Sequence, residues 1–220
     1  MACTYVLYAP MSPAIKFPLT NQELFDLAKG EIARFPATFE EYWELLEAAE
    51  YRVDYVDHEI IATISYETEE HSMVTTRLSH LLQNLFWNKS GFKVHNSNRP
   101  VCIPGCDYAV FNTDGSVVAQ PAQLYEYRPG MNAELTPVLL FEVLSKNTRV
   151  YDFGDKLPCY KKIPSLRQIL FVQILPVEVT VFERVEATGQ WLETSLKNLE
   201  DSIVVNGQKI LLNDIYGIKS

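Results

Sequence analysis

The sequence predicts a mixed α/β fold built on a central sheet that contains both strand directions. Three observations carry this prediction. First, residues 71–87 (HSMVTTRLSHLLQNLFW) repeat apolar side chains at three- and four-residue steps: Met73, Val74, Leu78, Leu81, Leu82, Leu85 and Phe86. That spacing marks one long amphipathic helix. Second, after Gly91 the chain breaks into short strand-like runs separated by turn residues. Third, the run Val138–Phe141 is apolar at every position, as expected of a central strand covered on both faces. Too few crossover helices separate these strands for a purely parallel, doubly wound sheet, so a mixed α/β or α+β arrangement is expected.

The elements follow in order. Thr20 and Glu23 have the spacing of a capping box, which predicts a helix to about Lys29 with Gly30 as its stop. Thr38 and Glu41 repeat the signal. The helix after them, 39–50, places Tyr42, Leu45, Leu46 and Ala49 on one face and turns its glutamates to water. Residues 55–66 read as a strand, with Ile60, Ile61 and Ile64. Gly91 closes the long helix. Strands are expected at 93–95, 100–103, 108–111, 116–119 and 137–145. A short helix is expected at 156–162, where Pro158 is tolerated only near its start. Strands at 167–173 and 178–184 flank a turn at Leu175-Pro176. Further strands at 190–194, 202–205 and 209–212 finish the chain, with Asn206-Gly207 as the strongest hairpin signal. The expected organisation is a helical N-terminal extension, 1–54, packed on a core domain, 55–220. About 50 residues could hardly bury a core alone.

The 220 residues are 47% hydrophobic and 21% charged, ordinary values for a globular chain. The formal net charge is -9. Residues 1–70 hold 14 acidic and 4 basic side chains, the remaining residues 14 and 15. This balance argues against unselective coating of nucleic acid or membrane, yet leaves room for a locally basic cleft. No apolar run approaches the roughly 18 residues of a membrane span, and the first residues lack the pattern of a secretory signal. Cys3, Cys102, Cys106 and Cys159 are too scattered for a disulfide scaffold, so reduced thiols in a cytoplasmic protein are expected. Cys102 and Cys106 lack the second pair or histidine that a zinc site needs.

The chemistry lies between Asp114 and Tyr160. Glu142 interrupts the apolar run PVLLFEVLS, and a carboxylate there is costly unless it is paired or coordinated. Two carboxylates on neighbouring strands, Asp114 and Glu142, can share a hard cation such as Mg²⁺. Lys156 beside them could orient a water or stabilise charge on a phosphate undergoing hydrolysis. A structural ion pair between Glu142 and a basic residue is the simpler alternative. Likewise, Asn112-Thr-Asp-Gly115 could be a turn with Asp114 facing solvent. Asp152 can orient Lys156 or serve as a helix-start charge. His71 can help position a metal or phosphate, or serve local structure. Tyr160, four residues after Lys156, shares its helical face and can pack over the lysine stem. Lys146, Arg149, Lys156, Lys161, Lys162 and Arg167 form a candidate phosphate-facing strip, with a solvated charged helix as the alternative.

Several pieces together give a family likeness: Thr113-Asp114, Glu142-Val143-Leu144-Ser145, Asn147-Thr148, Asp152-Phe-Gly-Asp155-Lys156 and Tyr160. With them the sequence resembles the PD-(D/E)xK restriction-endonuclease-like superfamily. It is most similar to the branch of endonucleases of unknown substrate that is abundant in cyanobacteria. The resemblance covers about 55–215. It implies a restriction-endonuclease-like core, a central mixed sheet flanked by helices, and a DNA-cleaving site that uses Mg²⁺ or Mn²⁺. By that resemblance Asp114 and Glu142 are metal ligands and Lys156 is the catalytic lysine. Asp152, His71 and Tyr160 are candidates to support them, and from the basic strip Lys146, Arg149, Lys161 and Lys162 are the candidates to contact DNA. The superfamily's usual lysine position, two residues after the glutamate, is Leu144 here. Cleavage of both strands would call for two sites, which makes a homodimer attractive. Two other classes stay open: a silent, nuclease-shaped binding or accessory protein, and a metal-dependent hydrolase of a small phosphorylated substrate.

Overall fold

A computed structural model of the chain describes residues 17–29, 32–64, 68–145 and 148–218. Both capping boxes form. Thr20 caps α1 (Asn21–Ala28) and Thr38 caps α2 (Phe39–Ala48), with Glu23 and Glu41 reaching back to the cap backbone. α1 ends with Lys29 in the left-handed region, and the expected stop at Gly30 lies outside the described residues. Between the helices runs β1 (Ala33–Pro36), which the sequence reading did not separate.

The single strand expected over 55–66 is a hairpin. β2 (Arg52–Val56) and β3 (Glu59–Thr63) meet through Asp57 and His58, both at positive φ. Asp is an ordinary residue at such a turn but His is not, so the signal was faint. The expected boundary between 54 and 55 falls inside β2. The long helix is α3 (Glu69–Phe86), capped by Thr68. Then follow β4 (Phe92–Asn96), β5 (Val101–Ile103), β6 (Ala109–Phe111), β7 (Gly115–Ala119), β8 (Leu124–Arg128), β9 (Met131–Glu134) and β10 (Pro137–Leu144). A single helical passage comes next: α4 (Arg149–Tyr151), a wide π turn over Asp152–Lys156, and α5 (Leu157–Tyr160). β11 (Gln168–Gln173), β12 (Glu178–Arg184), β13 (Trp191–Leu196), the hairpin β14 (Ser202–Val205) and β15 (Gln208–Leu211), and α6 (Leu212–Tyr216) complete the chain.

The strands form two large sheets. The first, in the order β1-β3-β2-β6-β5-β9-β8, has seven strands; the second, β13-β12-β11-β10-β7-β4, has six. β10 lies inside the six-stranded sheet, parallel to β11 and antiparallel to β7, so this sheet is mixed. A parallel neighbour requires a crossover, and the helical passage α4–α5 supplies it.

Side-chain alternation sorts the faces of β10. Leu139, Phe141 and Val143 meet Val74, Leu78, Leu82 and Phe86 of α3, together with the β14–β15 hairpin and α6. Leu140 and Leu144 turn the other way, toward α5 and toward Val56, Ile61, Val101 and Phe111 of the seven-stranded sheet. The far side of that sheet carries Val53, Tyr55 and Ile60 and is covered by Leu24, Tyr42 and Trp43 of α1 and α2. Burying each large side chain in these layers stabilises the fold by roughly 1.5–3 kcal/mol. The N-terminal helices thus cover the seven-stranded sheet, and the strand that holds Glu142 runs between α3 and that sheet.

Cys106 and Cys159 are joined by a disulfide, 53 residues apart in sequence, which ties the turn after β5 to α5. The expectation of reduced thiols fails for this pair, because the fold brings two distant segments together; Cys102 is free and buried.

Candidate active site

The site forms where the two sheets exchange the chain. β6 belongs to one sheet and β7 to the other, and residues 112–114 cross between them. Asp114 lies in this crossing and is 3% exposed, so the alternative of a solvent-facing turn does not hold. Its amide donates to Glu142 Oε2 at 3.3 Å, and the amide of Val143 donates to Asp114 Oδ2 at 2.8 Å. The two acids are therefore direct neighbours, locked by the backbone of β10 and the crossing.

Gly115, immediately after Asp114, stands opposite Phe141 in the β7–β10 register. A Cβ at Gly115 would overlap the Phe141 ring. The small residue lets β7 close on β10 and seats Asp114 beside Glu142.

Glu142 points away from α3, as its alternation with Phe141 and Val143 requires. Its Oε1 accepts from Lys156 Nζ at 3.0 Å and from the Tyr160 hydroxyl at 2.5 Å. Lys156 also lies 3.3 Å from Asp152 Oδ1 and 3.9 Å from Asp54 Oδ2. The helical passage places Asp152 and Lys156 four residues apart on one side, so Asp152 stands beside the lysine. The Tyr160 hydroxyl bonds Glu142, and the Tyr151 ring lies 5.3 Å from the ammonium. His71, in the first turn of α3, holds Nε2 2.9 Å from the Val143 carbonyl and 3.4 Å from Asp114 Oδ2. A carbonyl only accepts, so this nitrogen carries hydrogen.

Two residues of the site went unnoticed in the sequence. Arg52 and Asp54 lie two apart on β2, on the face opposite Val53 and Tyr55. Arg52 donates to Asp114 Oδ1 at 3.2 Å and to the Asn112 carbonyl at 2.8 Å. Asp54 accepts from the amide and side chain of Asn112 and, through Oδ2, from the Tyr151 hydroxyl at 2.8 Å. The available signal was the alternation Arg-Val-Asp-Tyr-Val, which sets opposite charges on one face of a strand whose other face is apolar.

Of the expected basic strip, Arg149 and Lys156 line the cavity. The Arg149 guanidinium is bonded to Gln173 and lies 5.0 Å from the Phe153 ring. Lys161 sits over Phe182, and Lys162 reaches Cys106. Neither lines the cavity. Lys146 lies outside the described residues.

These side chains border a cavity of about 800 Å³. Four buried acids (Asp54, Asp114, Glu142 and Asp152) are met by Arg52 and Lys156, and Glu70 and Arg149 also line the cavity. Burial works against charge on Asp114, but the His71 hydrogen bond and the nearby Arg52 charge hold its carboxyl well below the usual range. Burial pushes the Glu142 carboxyl upward, aided by the charges of Asp114 and Asp152 and opposed by Lys156 and Tyr160. Asp152 is raised by burial as well. Burial alone would lower Lys156, but Glu142, Asp152 and Asp54 outweigh it and the ammonium stays charged. Two neighbouring carboxyls driven in opposite directions are typical of a reactive centre.

Among the described residues no group of three or more His, Cys, Asp and Glu side chains is gathered into a ready metal-ligand set. The chemistry of the donors nevertheless suits a hard divalent cation. Asp114 and Glu142 are buried carboxylates that line one cavity and are tied to each other through the Asp114 amide, and buried acids outnumber the cations that meet them. The residues present therefore fit such an ion.

Among solved structures, the chain is similar to one described as a "putative nuclease belonging to DUF820" from Anabaena variabilis. The TM-score is 0.61 at 13% identity, covering 91% of this chain and 98% of that one. That likeness is one of fold. Two Synechocystis sp. proteins are similar in sequence. "Uncharacterized protein slr1290" is 29% identical over 167 residues, 76% of this chain and 84% of the relative. "Uncharacterized protein sll1609" is 26% identical over 173 residues, 79% of this chain and 94% of the relative. A family model described as "Putative restriction endonuclease" matches residues 39–211, spanning β2, the crossing at Asp114 and the whole acid cluster. With its mixed sheet and the carboxylates gathered at β10, the chain belongs to this family, Uma2.

Proposed function

We propose that the protein is a metal-dependent endonuclease that hydrolyses DNA phosphodiester bonds in the cavity beside β10. The observation that carries this reading is the contact of Asp114 with Glu142, two buried acids in a cavity that also holds Lys156 and Asp152. Asp114 and Glu142 would hold Mg²⁺ or Mn²⁺. When bound, such an ion supplies polarisation of a phosphate oxygen and a more acidic water. The chain's own part is to hold the acids in place and aimed. Lys156 and Tyr160 fix Glu142 Oε1, which leaves Oε2 on the side of Asp114. Arg52, His71 and the Val143 amide fix Asp114. Cleaving both strands of a duplex would engage two copies of the chain, the basis for expecting a homodimer.

The test is nicking of supercoiled plasmid and of single-stranded DNA in Mg²⁺ or Mn²⁺. Wild type is expected to cut, and chelator to stop it. Glu142→Gln and Lys156→Ala should lose about 10²-fold or more, the scale of removing one electrostatic group from an active site. Equal cutting by all three proteins would place the activity elsewhere.

A further inference from the structure

The two cations that touch the buried acids of the cavity, Arg52 and Lys156, differ in what they have left to give. Lys156 is 5% exposed, and its ammonium faces Glu142, Asp152 and Asp54 with the Tyr151 ring beside it. An ammonium has three N–H groups, and here three carboxylates surround it. Arg52 stands differently. Its side chain is 29% exposed and lines the cavity. A guanidinium has five N–H donors. Among the described residues, those of Arg52 make hydrogen bonds to Asp114 Oδ1 and the Asn112 carbonyl only. Those two bonds hold the planar group against the crossing, with donors to spare on a side chain that borders the cavity. A guanidinium held this way matches the oxygen pair of a phosphate, which a lysine enclosed by acids does not.

We propose that Arg52, rather than Lys156, is the cation that touches a non-bridging phosphate oxygen of the nucleic acid. The inference rests on the nuclease reading of this cavity. Arg52 gives hydrogen bonds and charge only, and transfers no proton. Lys156 serves the acids. The seven-stranded sheet then takes part in the reaction, because β2 carries the phosphate contact while β10 carries Glu142.

The experiment is fluorescence anisotropy of a labelled single-stranded oligonucleotide in Ca²⁺ across a potassium chloride series, run beside plasmid nicking in Mg²⁺. One lost phosphate contact lowers the slope of log affinity against log salt by about 0.7 for a single strand. Arg52→Gln should show that drop. Lys156→Gln should keep the wild-type slope. An unchanged slope for Arg52→Gln, or the drop in Lys156→Gln, would overturn the assignment. Arginine modification of the wild-type protein by phenylglyoxal, read by peptide mass, gives an answer even if Arg52→Gln fails to fold. Oligonucleotide should shield Arg52, and equal labelling with and without it would count against the contact. Wild type that neither binds nor nicks would bring down the nuclease reading and this inference together. Wild type that does both, with Arg52 indifferent, would remove Arg52 alone.

Discussion

A carboxylate in the middle of an apolar strand destabilises a fold by several kcal/mol unless its charge is met. Glu142 is met by an ammonium, a phenol and an amide, each from a different element. The phenol is the cleanest to remove. Tyr160 is fully buried and its hydroxyl serves Glu142. Tyr160→Phe is expected to cost about 1.5–3 kcal/mol, the range for a hydrogen bond to a charged group. Urea unfolding should show this as a lower midpoint with an unchanged slope. A midpoint equal to wild type would mean that Glu142 does not depend on the phenol. Glu142 was legible in the sequence because it breaks an apolar run. Asp114 was legible only through its resemblance to a motif, since Asn-Thr-Asp-Gly alone reads equally well as a turn.

At the scale of elements, the site depends on how closely β7 approaches β10. Gly115 has no side chain to hold the Phe141 ring away. Gly115→Ala should displace one of the two strands and cost about 1–3 kcal/mol, the usual penalty of overpacking. Because Asp114 is the adjacent residue, loss of cutting should accompany loss of thermal stability. A variant as stable as wild type would show that the β7–β10 contact yields freely. The strands of this sheet were largely readable, for β10 and β12 match, within a residue, the spans their patterns predict. β8 and β9 were not found, although Pro129-Gly130 lies between them at the turn where Gly130 takes a positive φ. Their polar residues hid the alternation. Arg52 and Asp54 were hidden for another reason. They lie about 60 residues before Asp114, and only the pairing of β2 with β6 brings them beside it.

At the scale of the whole molecule, two sheets and the helices on their outer faces enclose a cavity that is richer in acid than in base. The global charge of -9 gave no warning of this, because the acid excess of the sequence lies in residues 1–70 and three of the four buried acids of the cavity come from beyond them. The disulfide between Cys106 and Cys159 was equally invisible, since it joins segments that only the folded sheets bring together. The central claim is that Asp114 and Glu142 together hold a divalent cation. Calorimetric titration of the chelator-treated protein with Mn²⁺ tests it most directly. Wild type should bind, and Asp114→Asn and Glu142→Gln should each weaken binding by about tenfold or more, at least the loss seen on disturbing a ligand's supporting contacts. Equal Mn²⁺ affinity in all three proteins, or no binding by wild type, would contradict the account.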